Sequence, residues 1–180
     1  CRRPQPRPER DRRWWVHLKR RLGEQHTPHL LYLPAAYEQD EARRWPLVLF
    51  LHGSGEIGED LDLVRRCALP AMAEAGHAFP FVTLAPQSPS HDWFWSPAAL
   101  EALLDEVSET HQVDPDRVYV TGLSMGGRGT WDVALECPER KVQVLTVEAL
   151  ARSQLTRIAE HGNWLDLPER WSSLEQMRPM

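Results

Sequence analysis

Short apolar runs separate amphipathic segments through the middle of the chain. Residues 46–51 are apolar throughout and begin with proline, as is typical of a strand that is buried on both faces of a sheet. From Leu100 to Val107, leucine and valine recur at helical spacing, and the pair Ser96-Pro97 before them has the pattern of a helix N-cap and first turn. We therefore predict a buried strand at 46–51 and an amphipathic helix that begins at Pro97. Further strands are predicted at residues 29–33, 79–84, 117–121 and 142–147.

Helical patterns fill the gaps between these strands. Residues 60–75 show helical spacing with Pro70 as an interruption or kink, residues 128–137 are closed by Pro138, and residues 148–161 have helical composition. Strands that alternate with helices form a mostly parallel sheet with helices on both faces. The predicted fold class is therefore a three-layer α/β fold, in which ligands bind at the carboxyl ends of the strands.

Length and charge narrow the classes of function. The chain has 180 residues, of which 42% are hydrophobic and 26% charged, as in an ordinary globular domain. Residues 1–21 carry nine Lys/Arg against two Asp/Glu, whereas the remainder carries 12 basic against 24 acidic residues. The acidic body disfavours nucleic-acid binding, and no apolar run approaches the roughly 20 residues of a membrane-spanning helix. Residues 1–27 are expected to form a basic, Pro/Arg-rich, disordered tail, with anion contact as the alternative.

The chain has three cysteines, Cys1, Cys67 and Cys137, which are too few and too far apart to indicate a disulfide framework or a metal site. They indicate free thiols in a reducing compartment, which favours a cytoplasmic location. The basic N-terminus lacks the apolar segment of a signal peptide. Because the chain begins at Cys1 rather than methionine, secretion through a missing upstream signal stays open.

The pentapeptide Gly122-Leu123-Ser124-Met125-Gly126 has the pattern G-x-S-x-G. It follows the predicted strand 117–121 and opens a predicted helix, which is the strand–turn–helix context of a nucleophile elbow. A serine at such a turn is exposed and strained, and the helix N-terminus stabilises a developing oxyanion. The alternative is a glycine-rich turn that contains an incidental serine.

Two further loops lie at the same predicted edge of the sheet. His52-Gly53-Ser54-Gly55 directly follows the strand 46–51 and predicts an oxyanion hole built from the amide of Ser54, with Gly53 next, and the amide of Met125. His52 itself is expected to shape the loop rather than to transfer protons. The second loop is Trp93-Phe94-Trp95, in which Trp93 and Trp95 either bind the acyl or aryl group of a substrate or anchor the following helix as an apolar plug.

Four blocks of sequence together resemble a known family: YLP at 32–34, WPLVLFLHGSGEIGED at 45–60, VTLAPQSP at 82–89 and VDPDRVYVTGLSMGGRGTWDVALECPER at 113–140. They are similar to phospholipase/carboxylesterase-type α/β-hydrolases, near the dienelactone hydrolase, feruloyl esterase and polyhydroxyalkanoate depolymerase branches. The resemblance implies an α/β-hydrolase core at 28–140, with Ser124 as nucleophile and the amides of Ser54 and Met125 as oxyanion hole. It also implies a divergent segment at 141–180 and an incomplete C-terminal part of the fold.

The partners of the nucleophile are not identified by the same pattern. In this fold the chain order is serine, acid, histidine, and His161 is the one histidine after Ser124. Glu148 follows a predicted strand and is a candidate acid, but the strand–helix–strand section that the family places between acid and base does not fit before His161. We expect a reading frame that is shifted or cut near residue 140, in preference to a natural short variant with rearranged site residues.

The sequence thus predicts a serine carboxylesterase that hydrolyses small acyl or aryl esters through an acyl-enzyme on Ser124, with no metal and no organic cofactor. Its expected partner is a small-molecule ester, with no nucleic acid and no membrane, and self-association is left open. The alternatives are the same fold acting on an amide or lactone, a catalytically incomplete fragment or binding remnant, and an anion-binding protein that uses residues 1–21.

Overall fold

The computed structural model describes residues 15–16, 27–89, 95–140 and 142–145. Within these ranges, six strands form one sheet, and four α-helices and three short 3-10 turns connect them. The strands are β1 (Trp15–Val16), β2 (His29–Tyr32), β3 (Trp45–Leu51), β4 (Val82–Pro86), β5 (Val113–Gly122) and β6 (Gln143–Val144). The helices are α1 (Leu61–Arg65), α2 (Ala68–Glu74), α3 (Pro97–Thr110) and α4 (Met125–Glu136), and the 3-10 turns are Tyr37–Gln39, Ser54–Glu56 and Pro138–Arg140.

The sheet has the strand order β1-β2-β4-β3-β5-β6. Strand β3 lies between β4 and β5 and is parallel to both, and β6 is parallel to β5. Strands β1 and β2 form an antiparallel edge next to β4. The sheet is thus mostly parallel, as predicted, and the central position of β3 explains why all seven of its residues are buried.

Alternate residues of β3 enter two separate cores. Leu47 and Leu49 pack on one face of the sheet in a cluster that includes α3 and α4, whereas Val48 and Phe50 pack on the other face in a cluster that includes α1 and α2. Successive side chains of a strand point to opposite faces, so this division follows from the pleat. Helices therefore cover both faces, which confirms the predicted three layers.

The long helix predicted at 60–75 is instead two helices. The first helix ends at Arg65 and the second begins at Ala68, which has a φ of 40°. Pro70 then occupies the first turn of α2, where its missing N–H breaks no intrahelical hydrogen bond. An interruption was predicted at Pro70, but the structure places it before Ala68, because proline is tolerated near the start of a helix.

Two strand boundaries also differ from the prediction. Strand β4 begins at Val82 rather than residue 79, because Phe79 and Phe81 stack on each other at 5.1 Å in the core without pairing to the sheet. Strand β5 begins at Val113 and includes residues 114–116, which were predicted as a turn. A register shift between β3 and β5 accommodates them, so the turn pattern produces an irregularity within the strand.

The predicted division of the chain falls partly outside the described residues. Within the predicted tail, Trp15–Val16 pairs with β2, and most of the remaining tail is not described. The predicted helix 148–161 and the end of the predicted strand 142–147 are also outside these ranges. The boundaries at residues 27 and 140 therefore stay predictions.

Candidate active site

Ser124 stands at the sharp turn between β5 and α4. It is exposed and has φ 53° and ψ −111°, a combination that non-glycine residues rarely adopt. Met125 begins α4 directly after it. This is the strained strand–turn–helix geometry that presents a nucleophile above a parallel sheet.

Two glycines allow α4 to begin so close to the strands. A Cβ added to Gly126 would lie 1.9 Å from the Leu51 carbonyl oxygen, and one added to Gly122 would lie 2.3 Å from the Gly126 carbonyl carbon. The Leu123 amide donates to the same Leu51 oxygen at 3.0 Å. The two glycines of the G-x-S-x-G pattern therefore lie where the backbones of β3, β5 and α4 meet.

The loop after β3 lies beside Ser124. A Cβ added to Gly53 would be 3.8 Å from the Ser124 Cβ and 3.4 Å from the Leu123 carbonyl oxygen. The Gly53 amide donates to the Glu56 carboxylate at 3.1 Å, so this amide already has an acceptor. Ser54 begins the 3-10 turn Ser54–Glu56 and is exposed.

Two backbone amides at this edge of the sheet are suited to bind an oxyanion. Ser54 and Met125 each occupy the first position of a helical turn, where an N–H has no carbonyl partner within the turn. The N-terminus of α4 adds positive potential next to Ser124. The oxyanion-hole assignment of Ser54 and Met125 stays a prediction, and the occupied amide of Gly53 favours Ser54 over Gly53 as the donor from the loop.

His52 is fully buried below this loop. Its Nε2 accepts a hydrogen bond from the Ser88 amide at 2.9 Å, and its Nδ1 lies 2.6 Å from the Gly53 carbonyl oxygen. Because a backbone amide only donates, Nε2 is unprotonated and Nδ1 carries the proton of a neutral imidazole. Burial lowers the pKa of His52, against the opposing effects of the Gly53 carbonyl and Glu56. With both ring nitrogens engaged, His52 holds the loop, as expected, rather than serving as a base.

Trp95 is wedged between the loop and α4. Its indole is buried, its centroid lies 4.8 Å from that of His52 in an edge-on arrangement, and a Cβ added to Gly129 would come within 2.5 Å of its Cδ1. These contacts are those of a packing residue. Trp93 lies outside the described residues, and substrate binding by Trp93 and Trp95 stays a prediction.

The base and acid of a triad are not among the residues that the structure describes. No histidine follows Ser124 within residues 125–140 and 142–145, and both Glu148 and His161 fall outside them. Asp132 is within α4, and its Oδ2 lies 3.7 Å from Nε of Arg128, which is one turn earlier in the same helix. The acid and base assignments therefore rest on the sequence alone.

Neither a metal centre nor a spanning helix was found in the described part of the chain. Its His, Cys, Asp and Glu side chains form no group of three or more that could bind a metal ion. None of its helices is both long enough and apolar enough to cross a membrane.

Sequence reasoning missed two residues that contact the loop after β3. Glu56 accepts from the Gly53 amide, and the buried Gln87 donates to the backbone carbonyls of Glu56 and Asp60 at 2.8 and 2.9 Å. Gln87 directly follows β4, at the same edge of the sheet as Ser124, and that position was the available signal.

The strand order, the elbow at Ser124 and the loop at Gly53 define the α/β-hydrolase fold. Comparison with known proteins supports this class. No family model matches the chain. The chain is 32% identical over 120 residues to NocK of Nocardia uniformis subsp. tsuyamanensis, whose name assigns it provisionally as an esterase.

Solved structures of esterases share the same fold. A thermostable esterase superposes with a TM-score of 0.54 at 23% identity, covering 81% of this chain and 49% of that one. A ferulic acid esterase superposes with a TM-score of 0.52 at 17% identity, covering 70% of this chain and 55% of that one. The resemblance to α/β-hydrolase esterases expected from the sequence is thus confirmed at the level of the fold.

The match is to part of each relative. The chain spans 33% of the length of NocK and about half the length of the two solved esterases, 49% and 55%.

Proposed function

We propose that this chain provides the nucleophile and oxyanion hole of a serine carboxylesterase. The Ser124 Oγ gives its proton to the candidate base His161 and attacks the carbonyl carbon of an ester, and the amides of Ser54 and Met125 donate hydrogen bonds to the resulting oxyanion. The tetrahedral intermediate collapses, the ester C–O bond breaks, and the departing alkoxide takes up the proton held by the base and leaves as the alcohol, with the acyl group on Ser124. Water then attacks the acyl-enzyme and releases the acid.

The observation that carries this proposal is the backbone of Ser124. A non-glycine residue in a sparsely populated conformation costs about 1–3 kcal/mol. Glycine would make the same turn without that cost. Because the Ser124 side chain is exposed, core packing does not account for a serine in this conformation, and the strain supports a functional role for it.

The substrate class follows from chemistry and from the relatives. An ester has a better leaving group than an amide and needs less assistance from a general acid. The similarity to NocK, which is named as an esterase, supports an ester over an amide. We propose small acyl or aryl esters as substrates, with His161 as the candidate base and Glu148 as the candidate acid.

The test is labelling with a fluorophosphonate probe together with hydrolysis of p-nitrophenyl acetate by the folded chain. Ser124→Ala should abolish both signals. Ser108→Ala is the matched control, because the Ser108 hydroxyl donates to the Leu104 carbonyl within α3 and takes no part in the site. Turnover that persists in pure Ser124→Ala would refute the nucleophile.

The same experiment distinguishes the remaining alternatives. A folded chain that is neither labelled nor active would be an incomplete hydrolase or a binding remnant. Faster turnover of an amide or a lactone than of a matched ester would change the substrate class and leave Ser124 as the nucleophile. Loss of activity in His161→Gln, with the control variant unaffected, would support the base.

A further inference from the structure

Gln87 connects two carbonyls at the ends of one short segment. Its side chain is fully buried, and its Nε2 donates to the Glu56 oxygen at 2.8 Å and to the Asp60 oxygen at 2.9 Å. An amide nitrogen has two N–H donors, so both are used. Glu56 ends the 3-10 turn that begins at Ser54, and Asp60 is the N-cap of α1.

The turn at Ser54 and the segment that follows it include two glycines without close neighbours. Ser54 and Gly55 are exposed, and a Cβ added to Gly55 or Gly58 would meet no atom within 4 Å. Gly58 has a φ of +137°, a conformation that costs side-chain-bearing residues heavily. The hydrogen bonds of Gln87 and Gly58 therefore help to fix the path of residues 54–60.

The residue after Gln87 contributes to the same anchorage. The Ser88 amide donates to His52 Nε2 at 2.9 Å, and the Ser88 carbonyl accepts from the Gly58 amide at 2.9 Å. The Gln87 amide itself donates to the Pro28 carbonyl at 2.7 Å, beside β2. Hydrogen bonds thus tie the end of β4 to the neighbouring backbone, and the Gln87 side chain connects it to the 3-10 turn Ser54–Glu56.

We propose that Gln87 is a positioning residue that sets the Ser54 amide for the oxyanion at Ser124. The proposal rests on the proposed function, since it assigns Gln87 a part in the same site. Gln87 acts through the Glu56 carbonyl and, by way of the 3-10 turn, on Ser54. An oxyanion hole acts on the charge that develops in the transition state. A displaced Ser54 amide should therefore lower kcat with little change in KM.

The variant to measure is Gln87→Met, which keeps the length of the side chain and removes both donors. The matched control is Gln112→Met, because Gln112 directly precedes β5 and Ser124 follows it, so the two residues lie at opposite ends of that strand. Loss of a single oxyanion donor lowers kcat by about 10²–10³. For a displaced donor we expect kcat for p-nitrophenyl acetate to fall about 10- to 100-fold, with KM within threefold, and Gln112→Met within twofold of the parent.

Hydrogen exchange of the backbone amides at residues 53–60 gives a readout that needs no catalysis. Within this range the hydrogen-bonded amides of Gly53 and Gly58 should exchange at least tenfold faster in Gln87→Met, while amides of β3 and β5 keep their rates. Unchanged exchange at 53–60, or an unchanged kcat in a parent that is active, would overturn the proposal. If Gln87→Met does not fold, Gln87→Asn takes its place, because it is shorter by one methylene group and should show the same effects.

The two proposals fail in different ways. A parent chain without Ser124-dependent turnover would refute the proposed esterase, and the anchorage by Gln87 would then be decided by hydrogen exchange alone. An active parent with unaltered kcat in Gln87→Met would refute the positioning role and leave the esterase intact.

Discussion

Gly126 is the position at which the close approach of α4 to the sheet can be tested most directly. The Cβ of an alanine there would lie 1.9 Å from the Leu51 oxygen, 2.5 Å from the Leu51 carbon and 2.7 Å from the His52 oxygen. All three are backbone atoms of β3 and its following residue, so no side chain can rotate away. To reach even 3.0 Å, the shortest separation that real Cβ atoms show, α4 and β3 must separate by more than 1 Å.

The cost of Gly126→Ala follows from that displacement. Forcing one extra methyl group into a well-packed interior costs about 1–3 kcal/mol, and contact with three fixed backbone atoms places this variant at the upper end, at about 3 kcal/mol. Gly127 provides the matched control in the same turn of α4. A Cβ there would lie 3.5 Å from the Gly122 oxygen, an ordinary contact, so Gly127→Ala should stabilise the helix by up to about 1 kcal/mol.

Urea unfolding followed by tryptophan fluorescence measures both variants. The midpoint should fall in Gly126→Ala and rise slightly in Gly127→Ala, with the slope of the transition unchanged in each. A free energy of unfolding in Gly126→Ala within about 0.5 kcal/mol of the parent would refute the reasoning, because it would mean that the elbow has room for a side chain.

Two other properties of the chain can be tested in the same unfolding assay. Ser124→Gly should be more stable than Ser124→Ala by about 1 kcal/mol, because glycine adopts a φ of 53° without steric cost and both variants lack the hydroxyl; equal midpoints would show that the elbow is not strained. The free energy of unfolding should also fall as the pH is lowered from 7 toward 5. Burial lowers the pKa of both His52 and His111 below the ordinary 6.5, so the unfolded chain binds these protons first and stability is lost as the pH falls below that value. His111→Gln should flatten this slope, and an identical slope in parent and variant would contradict the assignment.

The sheet and its main helix could be predicted because their signals are local. The continuous apolar run of β3 becomes the central strand, and Ser96 caps α3, its Oγ accepting from the Ala99 amide at 3.4 Å. The start of β4 was predicted wrongly because the apolar pattern indicates which residues are buried, but not which of them pair with a neighbouring strand. Phe79 and Phe81 look like strand residues because they are buried, yet they stack in the core ahead of β4. Apolar spacing alone does not distinguish these cases.

In the candidate site, too, the local features could be predicted from the sequence and the long-range contacts could not. The G-x-S-x-G pattern predicts the elbow because Gly122 and Gly126 lie where the backbone leaves no room for a Cβ atom. The hydrogen bonds that hold the loop after β3 are not local, since Gln87 reaches carbonyls at Glu56 and Asp60, about thirty positions earlier in the chain. No spacing rule connects them, and the contact emerges only when β3 and β4 pair side by side.

The pairing of β3 with β5 explains how two strand ends place both parts of the proposed site next to each other. These strands pair from Leu47↔Val118 to Leu51↔Gly122, so they end at the same level of the sheet. The loop that leaves β3 carries the amide of Ser54, and the turn that leaves β5 carries Ser124. Because the side-chain period of a strand is two, a slip of one residue in this register would turn every buried side chain of β3 to the wrong face. The hydrophobic core therefore fixes the register, and the register fixes the spacing between the proposed nucleophile and the proposed oxyanion donor. By this reasoning, a substitution in the core of β3 disturbs the site only if it shifts the strand along β5.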